Sequence, residues 1–288
     1  VTVSDNPAEY SLSNYALINI CVDTNGYVYY SDSDHAVYRI SQDTPDPNVV
    51  PTVAPTTRAP SVTPTTIAPS NTFSGSTESN KVLAGTATQG FSGDGGTATS
   101  ALMNTPCGVW VSTSNEVYIA DNGNYRVRMV DQNGYISTFA GGGTSTVDGA
   151  AATSCLIGPV GLWGNTNGEL FVSENNFNRI RKIRTTGSGQ NAVTVYAGDV
   201  GGASGYTGDG GAATAATLYH PFLLRGDTNS NVYFADHSNN AIRKILYSDL
   251  TIVTLSLPTA DYVSVWVDLL GNVFASTYSG KSQDAQSF

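Results

Sequence analysis

Three carboxylates stand at matching places in three glycine-rich connections: Asp94 in "GFSGDGGTATSALMNTP" from Gly90, Asp148 in "GTSTVDGAAATSCLIGP" from Gly143, and Asp209 in "GYTGDGGAATAATLYHP" from Gly205. Carboxylates gathered at one mouth of a ring-shaped fold could hold a hard cation. An Asp before Gly more commonly bonds its own turn, with glycine supplying positive φ, and that reading is preferred here. These connections lack the Lys-Ser/Thr pair of a phosphate-binding loop, so nucleotide is not expected.

Of the three histidines, His35 and His237 fall in turns of different copies of a repeat and His220 just precedes the first strand of a copy, which argues against convergence on one zinc ion. Asp121 with Asn124 and Arg126 recurs as Asn178 with Arg179 and Arg181, and as Asp236 with Asn240 and Arg243. Asn and Asp suit a turn, and each Arg is expected to pair with a carboxylate of a neighbouring repeat. A set that recurs in every copy reads as scaffold, since a catalytic group is needed once. Among the three cysteines, Cys107 and Cys155 are candidates for a bridge in an oxidising compartment, and Cys21 reads as a small buried hydrophobe. No catalytic residue, metal site or cofactor is expected.

The elements that must position these residues come from one pattern written several times: "NEVYIADNGNYRVRMVDQNGYISTFAGG" from Asn115, with counterparts from Gly168 and Ser230 and shorter ones from Asn25 and Leu270. Alternating apolar runs broken by Gly, Asn and Asp predict short antiparallel strands. In the second copy these are strand a at Val109 to Ser112, b at Glu116 to Ala120, c at Arg126 to Val130 and d at Ile136 to Ala140. Four meandering strands make one blade of an all-β propeller, and five blades are visible. Aligning the copies stacks Val28, Val117, Leu170, Val232 and Val273 in strand b, and Cys21, Trp110, Trp163, Arg225 and Trp266 in strand a.

The last blade shows strands a and b at Val263 to Val267 and Asn272 to Ser276, with nothing beyond Gly280 that reads as c or d. Val1, Thr2, Val3 and Ser4 echo Val253 to Ser256, an outer strand leading into the next blade. This spare strand is expected to close the ring by completing the last blade, or to join a neighbouring molecule by strand addition. Within the single propeller of residues 1–288, residues 44–72 form an arm with seven prolines and eight threonines. It interrupts the c to d hairpin of the first blade. Fully extended, it reaches on the order of 90 Å at polyproline rise. Thr52, Thr56, Thr57, Ser61, Thr63, Thr65, Thr66, Ser70 and Thr72 are its O-glycosylation candidates.

The cassette "GFSGDGG", followed by "GVWV", "VYIADNGNYRVRMVD" and "ISTFAGG", resembles the NHL-repeat family of β-propellers across all but the arm and the tail. The resemblance implies a propeller, commonly of six blades, so a sixth would come from missing residues or a neighbour. Some NHL proteins bind RNA, and one relative is a zinc-dependent lyase of peptidyl-hydroxyglycine with histidine ligands. A net charge of −10 and pI near 4.5 argue against nucleic acid, and no matching His motif supports the lyase.

No apolar run is long enough to span a membrane, and membrane insertion is not expected. A chain opening on Val1 is expected to be processed or partial, a removed signal peptide being one explanation. The expected role is a secreted, structural or adhesive subunit, not an enzyme. Its partners would be copies of itself or other extracellular proteins, and its glycans would be covalently attached. The alternative is a ligand-binding module using Phe91, Asp94, Asp148, Tyr206, Asp209 and His220 on the cassette face.

Overall fold

The computed structural model describes residues 19–23, 27–31, 35–40, 80–185, 192–268 and 270–277. The spare strand Val1–Ser4 and the arm 44–72, with its candidate glycosylation sites, lie outside the described residues.

The described residues form three four-stranded antiparallel sheets, one five-stranded sheet and one two-stranded sheet, each a meander apart from one short added strand in the five-stranded sheet. Blade 1 is β1 (Asn19–Val22), β2 (Val28–Ser31), β3 (Val37–Ile40) and β4 (Asn80–Ala84). Blade 2 is β5 (Pro106–Val111), β6 (Val117–Asp121), β7 (Arg126–Val130) and β8 (Ile136–Gly141). Blade 3 opens with the short β9 (Ala150–Ala151), then β10 (Leu162–Gly164), β11 (Glu169–Glu174), β12 (Arg179–Arg184) and β13 (Ala192–Ala197). Blade 4 is β14 (Pro221–Gly226), β15 (Val232–Asp236), β16 (Ala241–Ile245) and β17 (Ile252–Thr254), and blade 5 is β18 (Tyr262–Val267) and β19 (Val273–Thr277). β3 pairs with β4, so the outer hairpin of blade 1 joins strands that lie far apart in sequence, at Val37–Ile40 and Asn80–Ala84.

Register carries the repeat into three dimensions. Cys21 pairs with Tyr29, Trp110 with Tyr118, Trp163 with Phe171, Arg225 with Tyr233 and Trp266 with Phe274. In blades 2, 3 and 4 the second strand meets neighbours on both faces, so β6, β11 and β15 are buried at every residue. They read as apolar runs more than as alternations for that reason. The b to c turns close on a left-handed residue, His35, Tyr125, Asn178 or Asn240, with φ of 60°, 55°, 49° and 53°. Asn tolerates this conformation, whereas a tyrosine there is uncommon.

Four apolar cores lie between consecutive blades. The first joins Cys21, Tyr29 and Val37 of blade 1 to Val109 and Ile119 of blade 2. The others join blades 2 and 3, 3 and 4, and 4 and 5. The inner strands fit by size. Trp110 lies over Gly164 and Trp163 over Gly226, where any Cβ would enter the indole ring. At the ends of the series the same positions are open. Trp266 and Phe274 are 44% and 45% exposed, and Ile20 and Val22 of β1 are both 48% exposed. Among the described residues, no sheet covers these two faces.

Polar locks join the blades as well. In blade 3, Glu169 accepts from Asn165 Nδ2 at 2.9 Å and from Tyr247 Oη of blade 4 at 2.9 Å, and pairs with Lys182 Nζ at 2.9 Å. Burial opposes its ionisation, but Lys182, Asn165 and Tyr247 together hold the carboxyl below its ordinary value. A depressed carboxylate contributes stability that is complete above the unfolded value, near 4.3, and is lost as pH falls through the folded one. Glu169→Gln is therefore expected to flatten the acid limb of a stability curve below about pH 4.3. Urea midpoints taken between pH 7 and pH 3 would show it. An unchanged slope would remove Glu169 from the account.

The cysteines are thiols. The Cys107–Cys155 bridge expected from their adjacency in the blade series is not formed, because the two sulfurs have separate surroundings. Cys107 Sγ faces Thr105 O at 3.4 Å beneath Asp121, whereas Cys155 Sγ lies in the core between blades 2 and 3, 3.8 Å from Arg181 Nη2. Burial first, then the Asp121 charge, pushes the Cys107 thiol up to about 12. Cys21 is buried, as its strand position implies. All three thiols are expected to resist a disulfide reagent at pH 8 and to react together once the chain unfolds without reductant. One reactive thiol in denaturant would reinstate a bridge.

Candidate functional site

The cassettes do not end at a central mouth. Each runs along the outermost strand of the blade it introduces and pairs with it. Gly95 N donates to Ile136 O at 2.8 Å, Ile136 N to Gly96 O at 2.9 Å and Ala98 N to Gly134 O at 2.8 Å. The same three bonds recur in blade 4, from Gly210 to Ile252, Ile252 to Gly211 and Ala213 to Leu250. In blade 3 the cassette becomes β9, paired with β13. Positive φ at Gly95 and Gly210, 81° and 79°, allows the chain to turn onto that edge. In blades 2 and 4 the start of the cassette is tied to the b to c turn of its blade, by Asn124 Nδ2 to Gly90 O at 2.7 Å and Asn239 Nδ2 to Gly205 O at 2.7 Å. This places the b to c turns and the cassettes at one end of the blades, as a meander requires.

Placement on the rim separates the three carboxylates and gives two of them an unforeseen partner. Asp94 does not bond its own turn but accepts from Arg128 Nη2 at 2.7 Å and from Thr138 Oγ1 at 2.7 Å. Asp209 accepts from Arg243 Nη2 at 2.8 Å. Asp148 differs, and accepts from Val195 N at 2.5 Å.

Arg128 and Arg243 are wholly buried and face a second carboxylate from their own blade, Asp121 at 3.3 Å and Asp236 at 3.4 Å. Backbone carbonyls complete each cluster: Ser92 O and Leu102 O around Arg128, Thr207 O and Thr217 O around Arg243. Burial pushes the Asp121 and Asp236 carboxyls up, against the hydrogen bonds and arginine charge that favour ionisation.

The arginine expected to reach an adjacent blade thus pairs within its own blade and cassette, and in blade 2 it is Arg128 rather than Arg126. The signal was available as spacing, since Asp94 to Arg128 and Asp209 to Arg243 are both 34 residues apart.

Phe91 and Tyr206 cover these clusters from outside. Phe91 lies 3.8 Å from the Arg126 guanidinium and 5.0 Å from that of Arg128, and Tyr206 lies 5.3 Å from Arg243. Tyr206 Oη also donates to Thr254 Oγ1 at 3.1 Å. Both rings keep one side in solvent, at 43% and 51% exposure. Beside Tyr206 a cleft of about 160 Å³ opens between blades 4 and 5, lined by Asn239, Asn240, Thr254, Leu257 and Tyr262. That is smaller than the roughly 300–1,000 Å³ of small-molecule sites.

The histidines sit at three blade junctions. His35 Nδ1 accepts from Thr105 N at 3.0 Å, His220 Nδ1 lies 2.8 Å from Ser238 Oγ, and His237 Nδ1 lies 2.9 Å from Tyr262 O and 3.0 Å from Asp261. Among the described residues, no cluster of His, Cys, Asp or Glu is arranged to hold a metal ion. No helix among them is long and apolar enough to cross a membrane.

A family model of the teneurin NHL domain matches residues 57–147, from the arm through blade 2. No curated protein matches the chain. Among solved structures, the nidogen/laminin complex matches with a TM-score of 0.58 at 11% identity, over 94% of this chain and 80% of that one. Streptogramin B lyase matches with a TM-score of 0.53 at 11% identity, over 95% and 72%. A protein of unknown function from Bacteroides thetaiotaomicron gives 0.59 at 14% identity, over 91% and 57%. At these identities the likenesses show the fold alone. Blades in meander order and a cassette ahead of each of blades 2 to 4 make this chain a β-propeller, and the similarity of residues 57–147 to the teneurin NHL domain supports an NHL-repeat reading of it.

Proposed function

We propose that this propeller is an extracellular structural or adhesive module that meets copies of itself or other extracellular proteins and performs no catalysis. The observation that carries this reading is the repeated use of the chemistry-bearing side chains inside the scaffold: the same Asp–Arg–Asp cluster is built in blades 2 and 4. The match to the teneurin NHL domain, which extends into the Thr/Pro arm, supports an extracellular setting. O-glycans on that arm, and assembly into fibres through the arm or the spare strand, complete the proposal.

Negative-stain imaging of native material, with its intact mass, tests it. Regular assemblies and a mass well above 30.1 kDa are expected. Isolated particles at the sequence mass would overturn both glycosylation and assembly.

A second reading rests on Phe91 and Tyr206, two aromatic faces half in solvent at equivalent cassette positions. It makes the cassette face, with Asp94, Asp148, Asp209 and His220, the seat of a protein or glycan ligand. Phe91→Ala or Tyr206→Ala would then abolish binding and leave assembly intact. Assembly lost together with binding would return those rings to the scaffold.

A further inference from the structure

We propose that blade 3 binds a small monovalent anion of the halide class against the buried side chain of Arg181. The site is independent of the role proposed above. It follows from one blade departing from the pattern of its neighbours.

Arg181 occupies the place of Arg128 and Arg243, and like them it is wholly buried. Those two each contact two carboxylates and two carbonyls through Nη1 and Nη2. Arg181 has far less. Its Nη2 reaches Val193 O at 3.5 Å and Cys155 Sγ at 3.8 Å, and its Nη1 lies 3.9 Å from Glu174 Oε2. Glu174 is already engaged by Arg179 Nε at 2.6 Å and Gly158 N at 2.8 Å. Nε is unpaired in all three arginines, but only Arg181 also leaves Nη1 without a hydrogen bond.

Spacing explains the difference. Asp94 and Asp209 precede their arginines by 34 residues. Asp148 precedes Arg181 by 33 (181 − 148), and its carboxylate turns to Val195 N. Cys155 also stands where the other cassettes have Ala101 and Ala216. Blade 3 thus buries two guanidiniums, Arg179 and Arg181, against the one buried carboxylate of Glu174, while the exposed Asp148 acts on Arg181 only from a distance. A buried charge without a counter-charge is strongly unfavourable.

Cys155 and Val193, which Arg181 touches, belong to the apolar core between blades 2 and 3 together with Ala152, Ile157 and Ile183. A compact, weakly hydrated anion that accepts N–H donors and tolerates apolar neighbours matches this chemistry. A cation does not.

The test is thermal unfolding in sodium bromide against sodium gluconate at matched ionic strength, with bromide-soaked crystals read by anomalous scattering. Expected are a Tm that climbs with the logarithm of bromide concentration, an anomalous peak within hydrogen-bond reach of Arg181 Nη1, and no bromide response in Arg181→Met. Cys155→Ala should keep both responses.

Identical curves in the two salts, or bromide peaks only at the surface, would overturn the proposal, as would water alone beside Nη1. A response absent from the natural chain and appearing only in Cys155→Ala would make the Cys155 thiolate the counter-charge, and would overturn it equally. Should Arg181→Met not fold, the soak of the unaltered protein still decides.

Discussion

Arg243→Met is expected to destabilise the protein by about 3–5 kcal/mol, the cost of leaving a buried ion pair with one partner. Asp236 is wholly buried, and its other partners, Tyr219 N and Asn239 Nδ2, are neutral donors. Asp209 also loses its arginine, but lies at the surface and contributes little to the loss.

The deficit should depend on pH in a definite direction. Burial already raises the Asp236 carboxyl, and removing Arg243 raises it further. A group raised in the folded state loses stability as pH climbs from the unfolded value, about 3.9, through the folded one. The variant should therefore be weakest at neutral pH and recover part of its loss toward acid. Adding Asp236→Asn should restore much of the stability at pH 7, since the amide keeps an acceptor for Tyr219 N and carries no charge. Denaturant midpoints of the two variants at pH 7 and pH 4 decide it. A loss in Arg243→Met that neither acid nor the second change relieves would mean that the side chain acts through volume.

Gly226→Val is expected to cost about 1–3 kcal/mol, the usual range for overpacking, and to stand at its upper end. Any Cβ at Gly226 would enter the rigid indole ring of Trp163. The same inner-strand position holds Val111 in blade 2 and Val267 in blade 5, where the preceding blades present Cys21 and Arg225 in place of tryptophan. Glycine stands at this position where the preceding blade presents a tryptophan and valine where it does not, so the glycine is required only after a tryptophan. Trp163→Leu in the same chain should recover most of the loss. Thermal melts of the single and double variants measure the coupling, and additive losses would show that Gly226 and Trp163 do not act on one another.

The strands were legible because each copy restates the same alternation and the same turn residues. Strand c of blade 2 was placed to the residue, at Arg126–Val130, and strands a, b and d differ only at their ends. The inner-strand column of Cys21, Trp110, Trp163, Arg225 and Trp266 also stands as aligned.

What the pattern concealed was the path of the connections. A glycine-rich loop carries no periodicity, so nothing local showed that Gly95 and Gly96 pair with Ile136, or that Asp94 reaches across to Arg128. That contact is readable only from the equal spacing of two distant pairs. In blade 2 the sequence motif rests on Arg126, beside the turn, whereas the guanidinium buried by the arriving cassette belongs to Arg128, two residues further on.

The cassettes also settle where one repeat stops and the next begins. By strand order alone a repeat would run from inner to outer strand, leaving at the rim a row of free peptide groups that invites adventitious pairing. In blades 2 and 4 that row is met by a segment encoded just ahead of the same blade. A duplication of residues 90–141 would thus deliver a blade together with its own selvedge, ready to be stitched into a longer ring without a raw hem.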